Sequence, residues 1–323
     1  MYNLTCAEAY RPPIREEVYV LDIIPLASGP VTISSDQELC AFDLAGGLGR
    51  GPAKSWRTSH GNVTCARGFD LGAGGTVVCT AGEDGCVAMW DLRLDGQQAQ
   101  VARLSGAWPE NCGRFSCMNI LVLIGDVRST PTPRHQYKEV HSDDITELNF
   151  HPTDPNILLT GSTDGLVNVC DTRITDEDEV VIQAFNHDAS IHHAAFLNDT
   201  EVYAISHDEK LALYDMAEGC EKGTATTDFG DMRQMLGCQY VANVFAKANG
   251  AGAVVGAGAH DQQKFELVHL AKGGSGSSWA LDRANSVGLP GAHGTEIVRS
   301  FCFYDEAGIV FTAGEDGFIK AWR

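Results

Sequence analysis

Cations are scarce in this chain. Lys and Arg together number 23 against 43 Asp and Glu, for a formal net charge of −20 over 323 residues. Such a field repels nucleic-acid phosphate and anionic membrane and favours basic partners. Nowhere do Lys and Arg cluster with interleaved aromatics, so no direct nucleic-acid contact is expected. No apolar run approaches the length of a membrane span. The N-terminus lacks a basic segment followed by an apolar core, the mark of a secretory leader. An intracellular protein of cytoplasm or nucleus is therefore expected. No CxxC occurs, and Cys112 and Cys117 have no matching His or Cys pair, which argues against zinc. The 11 cysteines are odd in number and scattered, and Cys79, Cys170 and Cys302 sit among apolar residues. Reduced, buried thiols are expected rather than a disulfide framework. No stretch sustains a helical period over three turns.

What the chain does contain is a repeated phrase. TAGEDGCVAMWDLR begins at Thr80, and TAGEDGFIKAW begins at Thr312. Their core is an Asp with an aromatic six positions on, often followed by a second Asp. Asp84 leads to Trp90-Asp91, Asp316 to Trp322, Asp36 to Phe42-Asp43 and Asp208 to Tyr214-Asp215. Asp164 leads to Cys170-Asp171, where the aromatic is lost. Thr32, Thr80, Thr160 and Thr312 each stand four residues before the Asp. Upstream, His60, His141, His187 and His293 each precede a short apolar run. The marks recur at intervals from about the low forties to the mid fifties, or about twice that where a copy is degraded. Between them lie short runs rich in Val, Ile, Leu and aromatics (EVYVLDIIPL, ILLTGS, LVNVCDTR, EVYAISHD, KLALYDM, IVRSFCF), bounded by turn residues. Four short strands per repeat is the arithmetic of a propeller blade. No linker-like stretch separates the copies.

These motifs resemble the WD-repeat family over nearly the whole chain. The closing run from Gly291 and the stretch HSDDITELNFHPTDPNILLTGSTDGLVNVCDTR resemble, within it, the family of WD repeat-containing protein 89. The resemblance implies an all-β, seven-bladed WD40 β-propeller, a single domain over 1–323, with repeats at about 14–45, 58–93, 107–128, 141–173, 187–217, 236–271 and 293–323. The repeats centre on Asp36, Asp84, a damaged third copy ending in GDVR (Gly125 to Arg128), Asp164, Asp208, Asp261 and Asp316. In this frame the repeat phrase ends the third strand of a blade. Arg323 leaves the last blade without its outermost strand, and MYNLTCAEAYRPP is expected to supply it. That pairing would close the ring and remove exposed sheet edges.

The third repeat is short. Ala107 to Met118 is about a dozen residues where two inner strands and their turns need about twenty. Blade three is expected to be degenerate or incomplete, through deletion or an altered transcript.

His60, Thr80, Asp84 and Trp90 fall in one repeat, and His293, Thr312, Asp316 and Trp322 in another. His141, Thr160 and Asp164 make a partial set. Hydroxyl, imidazole and carboxylate are also the parts of a nucleophilic triad. The set recurs, however, and its Trp has no role in a triad. The resemblance implies a hydrogen-bonded tetrad joining strands within a blade, so stability is the assigned role. No catalytic residue, metal or cofactor is expected. GGLGRGPAKS (Gly46 to Ser55) does not meet P-loop spacing and reads as a flexible connection between blades one and two. AKGGSGSS (Ala271 to Ser278) reads as a surface loop, and ANGAGAVVGAGAH as a strand pair of small residues in blade six.

One motif goes beyond architecture. Val78, Asp84, Val87, Trp90, Asp91 and Arg93 resemble the box by which some WD-repeat proteins dock on the damage-binding adaptor of cullin-RING ubiquitin ligases. Arg128 and Arg173 repeat the Arg of that box without its Trp. The plainer alternative, that these Arg residues pair with acidic neighbours, is the favoured one. The acidic run DEDE (Asp176–Glu179) is expected to be a solvated loop, with a docking patch for a basic tail as the other option. The functional expectation is a non-catalytic scaffold for protein partners, monomeric within a larger complex. A substrate receptor docking through Trp90–Arg93, or a subunit of a nuclear or ribosome-assembly complex with basic partners, stands beside it.

Overall fold

A computed structural model of the chain describes residues 2–13, 17–69, 75–105, 122–124, 135–217, 223–247, 252–272 and 278–323. Two strands lead: β1 (Tyr2–Asn3) and β2 (Cys6–Tyr10). The first sheet follows, an antiparallel run of β3 (Val20–Leu26), β4 (Gly29–Ser34), β5 (Glu38–Ala41) and β6 (Lys54–Arg57). The second sheet is built alike from β7 (Val63–Phe69), β8 (Val77–Gly82), β9 (Cys86–Asp91) and β10 (Gln100–Ser105). In third place stands a two-stranded sheet of β11 (Val122–Ile124) and β12 (His135–Tyr137). The fourth sheet is β13 (Ile145–Phe150), β14 (Ile157–Ser162), β15 (Leu166–Asp171) and β16 (Val181–Asn186). The fifth is β17 (Ile191–Phe196), β18 (Glu201–Ser206), β19 (Lys210–Asp215) and β20 (Thr227–Asp231). A one-turn helix, α1 (Met232–Leu236), is capped by the Asp231 carboxylate, which accepts the Arg233 amide at 2.9 Å. The sixth sheet takes β21 (Tyr240–Ala246), β22 (Ala253–Ala259), β23 (Lys264–Lys272) and β24 (Trp279–Pro290), with β1 added in parallel as a fifth strand. The last comprises β25 (Val298–Tyr304), β26 (Ile309–Gly314) and β27 (Ile319–Trp322), with β2 at its edge.

The turn chemistry explains the hairpins. Asp84, Asp164 and Asp316 sit between the second and third strands of their sheets. Each carboxylate accepts the amide two residues on, at 3.0, 2.9 and 3.0 Å. The glycine after each Asp has φ of 68°, 86° and 77°, a region open to Gly at no steric cost.

The chain divides into two compact units. One comprises Cys117–Ala257 with Leu267–Ser286, the other Tyr2–Ser116 with Gly258–Glu266 and Val287–Arg323. Within each, the cores lie between successive sheets. In the second unit, Ile33, Leu39, Val78 and Trp90 join the first sheet to the second, and Phe42, Cys302 and Phe311 join the last to the first. In the first unit, Leu159, Val169, Ile191 and Tyr214 join the fourth to the fifth, and Ile205, Leu213, Val255 and Trp279 join the fifth to the sixth.

The N-terminal segment pairs as the repeat frame requires. β2 runs antiparallel to β27, with Cys6 opposite Trp322 and Tyr10 opposite Ile319. Backbone bonds Thr5 N–H to Arg323 O (2.8 Å) and Arg323 N–H to Thr5 O (3.1 Å) extend the ladder.

Three expectations need correction. Seven blades are not seen: the described residues show six sheets of four or five strands, and the third position holds only β11 and β12. The physical reason is length, since too little chain separates β10 from β11 for two more strands and their turns. Second, Gly46 to Ser55 does not connect blades one and two. It folds within the first sheet, between β5 and β6, where Leu48 is buried and the Gly49 amide donates to the Glu8 carboxylate at 2.9 Å. Third, the small-residue stretch of the sixth sheet is a single strand, β22, rather than a strand pair. Arg128, the GDVR copy, Cys112 and Cys117 lie outside the described residues, as does most of the 271–278 loop.

Candidate functional site

The recurring polar residues converge in space. In the second sheet, Trp90 Nε1–H donates to Thr80 Oγ1 at 2.8 Å, and Thr80 Oγ1 lies 2.9 Å from His60 Nε2. His60 Nδ1 lies 2.8 Å from Asp84 Oδ1. The last sheet repeats this. Trp322 Nε1–H donates to Thr312 Oγ1 at 2.9 Å, Thr312 Oγ1 stands 2.8 Å from His293 Nε2, and His293 Nδ1 stands 2.6 Å from Asp316. Indole can only donate and a carboxylate can only accept, so in a neutral imidazole Nδ1–H faces the Asp and Nε2 is left to accept. The imidazole Nδ1–H donates to the carboxylate, the Thr hydroxyl donates to Nε2, and the Thr oxygen accepts from Trp.

The fourth sheet lacks the Trp. His141 still joins Asp164 at 3.0 Å and Thr160 at 2.7 Å, but Cys170 fills the aromatic's place. The fifth sheet varies further. His187 Nδ1 meets the Tyr214 hydroxyl at 2.9 Å, and its Nε2–H donates to the Lys210 carbonyl at 3.0 Å. Here the imidazole is held by the aromatic itself.

Burial pushes the imidazoles of His141 and His293 below their ordinary value, although the carboxylates beside them pull the other way. Burial alone would push Asp84, Asp164 and Asp316 up. Hydrogen bonds from the His and the turn amides outweigh it, and all three stay below the ordinary carboxylate value. Arg103 adds a cation to Asp84, and Lys320 Nζ lies 3.2 Å from Asp316.

The arrangement is poorly suited to attack on a substrate. Thr80, Thr160 and Thr312 are each 0 % exposed. None of these residues lines the cavity of about 300 Å³ bordered by Tyr10, Arg11, Asp36, Glu38 and Ser55. Among the described residues no group of three His, Cys, Asp or Glu could hold a metal ion. Cys170 and Cys302 are free and buried, Cys79 free and half-buried. Burial pushes the thiols of Cys170 and Cys79 up, to about 12 and about 11, which removes thiolate character.

The arginines singled out by sequence have partners. Arg93 Nε and a terminal guanidinium nitrogen donate to the two oxygens of Asp91, at 2.9 and 2.6 Å, and the Arg93 amide donates to Oδ1 at 3.0 Å. Arg173 grips Asp171 identically, at 2.8 and 2.6 Å. A third instance, Arg233 on Asp231 at 3.0 and 2.9 Å, was missed because it lies outside the repeat phrase. The signal was present nonetheless, as D-x-R at the end of a strand. Arg93 holds the Asp91 carboxyl down at about 2. The acidic run Asp176–Glu179 forms the turn between β15 and β16, and Glu177 accepts the Glu139 amide.

Sequence reasoning also missed a buried charge. Glu201 accepts Trp279 Nε1–H at 2.8 Å and Asn198 Nδ2–H at 2.5 Å, and pairs with Lys272 at 2.9 Å. Asn198 is three residues away, but Lys272 and Trp279 lie far along the chain, so no local pattern marks the whole set.

Comparison with known proteins gives consistent matches. Residues 53–91 and 132–171 match the family described as "WD domain, G-beta repeat". An uncharacterized WD repeat-containing protein of Schizosaccharomyces pombe is 29 % identical over 344 aligned residues, covering 99 % of each chain. One of Saccharomyces cerevisiae is 29 % identical over 308 residues, covering 91 % of this chain and 76 % of the relative. A WD repeat-containing protein 89 homolog of Dictyostelium discoideum is 35 % identical over 81 residues, 24 % of this chain and 23 % of the relative.

Proposed function

The chain belongs to the WD40-repeat family, with the all-β propeller fold of that family, and from this premise we propose that it is a non-catalytic scaffold for protein–protein interaction. The carrying observation is the repeated burial of the only hydroxyl–imidazole–carboxylate sets named above. Their threonines are sealed from solvent and spent on Trp and His of the same sheet. Their role is stability: paired buried groups hold the strands of a blade together, and orphaning one costs about 1–3 kcal/mol. What is left for function is the loop surface on a rigid scaffold. Its charge, −20 overall, favours basic protein partners. We read the chain as one domain with seven blade positions, the third only partly filled.

The ligase-receptor reading asks Arg93 to serve as a bidentate fork for an adaptor. That fork is already closed on Asp91, and the same clamp recurs at Arg173 and Arg233, so a structural role is favoured. Affinity purification of the full chain with cross-linking tests both readings. Stoichiometric protein partners, cross-linked to loop residues, are expected. Arg93→Ala should lose little stability, as expected of an exposed ion pair, and keep those partners. Loss of a cullin adaptor from a folded Arg93→Ala variant would establish the receptor instead. If no partner copurifies in stoichiometric amount, the scaffold reading is wrong.

A further inference from the structure

One kind of turn joins the second and third strands of five sheets. Its closing bond runs from the amide of Gln37, Gly85, Gly165, Glu209 and Gly317 to the carbonyl three residues back, at 2.8, 3.0, 3.2, 3.0 and 3.2 Å. The donating residue has a positive φ in each: 71°, 68°, 86°, 62° and 77°. Three sheets use Gly there. The first and fifth use Gln37 and Glu209, and a Cβ makes that conformation costly for an L residue. Strain of this kind persists only where surrounding contacts hold it, and both residues have such contacts.

Each side chain reaches forward to the entrance of the next sheet. Gln37 Oε1 accepts the Gly61 amide at 3.1 Å, just before β7. Glu209 Oε2 accepts the Val241 amide at 3.0 Å, at the start of β21. The backbone carbonyls add a second hold. That of Gln37 accepts the Thr58 amide at 2.8 Å, and that of Glu209 accepts the Met232 amide at 2.9 Å. The fifth-sheet turn therefore grips both α1 and β21 at their first residues. Met232, Leu236 and Val241 are buried beneath it in one core. The two staples are alike in shape and differ in chemistry: a side-chain amide does not ionise, and a carboxyl does.

We propose that Glu209 is a proton-controlled staple between the fifth and sixth sheets, closed while its carboxyl is protonated and released as it ionises. The inference stands apart from the scaffold reading. The protonated acid keeps Oε2 as an acceptor for the Val241 amide. Burial pushes this carboxyl from the ordinary 4.5 up to about 7. The Val241 amide, Arg233 of α1 and His193 of β17 pull it down, Asp231 of β20 pushes it up, and burial prevails. Arg233 is engaged by Asp231 and His193 by Glu147, each at 2.9 Å. Cys238, between α1 and β21, has its thiol pushed up to about 11, chiefly by burial, and stays neutral near pH 7. A Glu209 swung out into water regains the ordinary value, so ionisation favours the open turn. With 7 closed and 4.5 open, the opening constant grows about tenfold from pH 6 to pH 8. The folded chain holds this proton more tightly than the unfolded one. Its contribution to stability is therefore complete below 4.5 and lost as pH rises through about 7. That sign is opposite to the one His141 and His293 give, so the effect is read as a difference between wild type and Glu209→Gln. The surface that answers to pH is α1, whose Met235 is 37 % exposed.

The test uses the full chain. The carboxyl carbon of Glu209, followed by NMR and assigned by its loss in Glu209→Gln, should titrate near pH 7. Hydrogen exchange at the Val241 amide, corrected for the intrinsic rise with pH, should give an opening constant about tenfold larger at pH 8 than at pH 6. The Gly61 amide, held by Gln37, should show no such rise. Glu209→Gln copies the first-sheet staple. It should abolish the rise at Val241 and gain in unfolding midpoint over wild type as pH goes from 6 to 8. A carboxyl that titrates near the ordinary 4.5 overturns the proposal, and this reading needs no variant to fold. A Val241 opening constant that is flat from pH 6 to 8 overturns it as well. So does a rise that survives in Glu209→Gln; if His193→Asn then removes that rise, the imidazole is the sensor and Glu209 a static tie.

Discussion

Replacing Thr312 by Val tests the hydrogen-bonded sets without opening a cavity, because the two side chains have nearly the same shape. Thr312 is fully buried, and its hydroxyl serves Trp322 on one side and His293 on the other, at 2.9 and 2.8 Å. The methyl of Val serves neither. Two groups are orphaned, Trp322 Nε1–H and His293 Nε2, and Trp322 and His293 are only 2 and 1 % exposed, so water cannot replace the partner. At about 1–3 kcal/mol for each orphan, the loss should be about 2–6 kcal/mol. The fourth sheet supplies the control. Thr160 serves His141 at 2.7 Å and the Asn168 carbonyl at a long 3.4 Å but no indole, so Thr160→Val chiefly orphans the imidazole and should cost about 1–3 kcal/mol. A double-mutant cycle sharpens this. In Trp322→Phe there is no indole N–H to orphan, so adding Thr312→Val should cost less than in wild type, by about 1 kcal/mol or more. The assay is denaturant unfolding of the four proteins of the cycle, with stability taken from midpoint and slope. A coupling energy under about 0.5 kcal/mol, which is the ordinary error of additivity, would refute the claim that Trp322 depends on the Thr312 hydroxyl.

Other outcomes follow from the same geometry. Deleting Met1 to Tyr10 strips β2 from β27 and the Tyr10 ring from Phe42, 5.4 Å away, so the melting temperature should fall by roughly 5 °C or more; a truncated chain that melts as wild type and stays monomeric would contradict this. Acidification should destabilise in two stages. His141 and His293 have folded pKa values below the ordinary 6.5, so as pH falls through that value the unfolded chain binds protons that the folded chain refuses, and stability drops. Asp164 and Asp316 lie below the ordinary 3.8 when folded, so their contribution is present above 3.8 and lost as pH falls further through the folded values. Unfolding midpoints measured from pH 8 to 3 should show both losses, and His293→Asn should flatten the first; a midpoint constant between pH 7 and 5 would show that the imidazoles titrate normally.

Local spacing alone determined a good deal about this protein. Thr80, Asp84 and Trp90 occupy two adjacent strands and the turn between them, so a fixed count of residues carries their fixed geometry. The same holds for Thr312, Asp316 and Trp322, and the histidine lies just before the sheet's first strand. The D-G turns and the pairing of β2 with β27 are equally local or follow from repeat order. Tertiary structure decided the rest. Which acceptor meets Trp279 depends on the neighbouring sheet, and Glu201 reaches it across 78 residues of chain. Whether Arg93 is a free fork or a clasp on Asp91 depends on rotamers at a strand end, which residue identity leaves open. The exposure of Leu148 is the plainest case. In ITELNF, Ile145, Leu148 and Phe150 share one face of the ladder and Glu147 and Asn149 the other, a pattern that leaves exposure open, because burial is a property of what packs against a face. At Leu148 little does, and the residue is 49 % exposed.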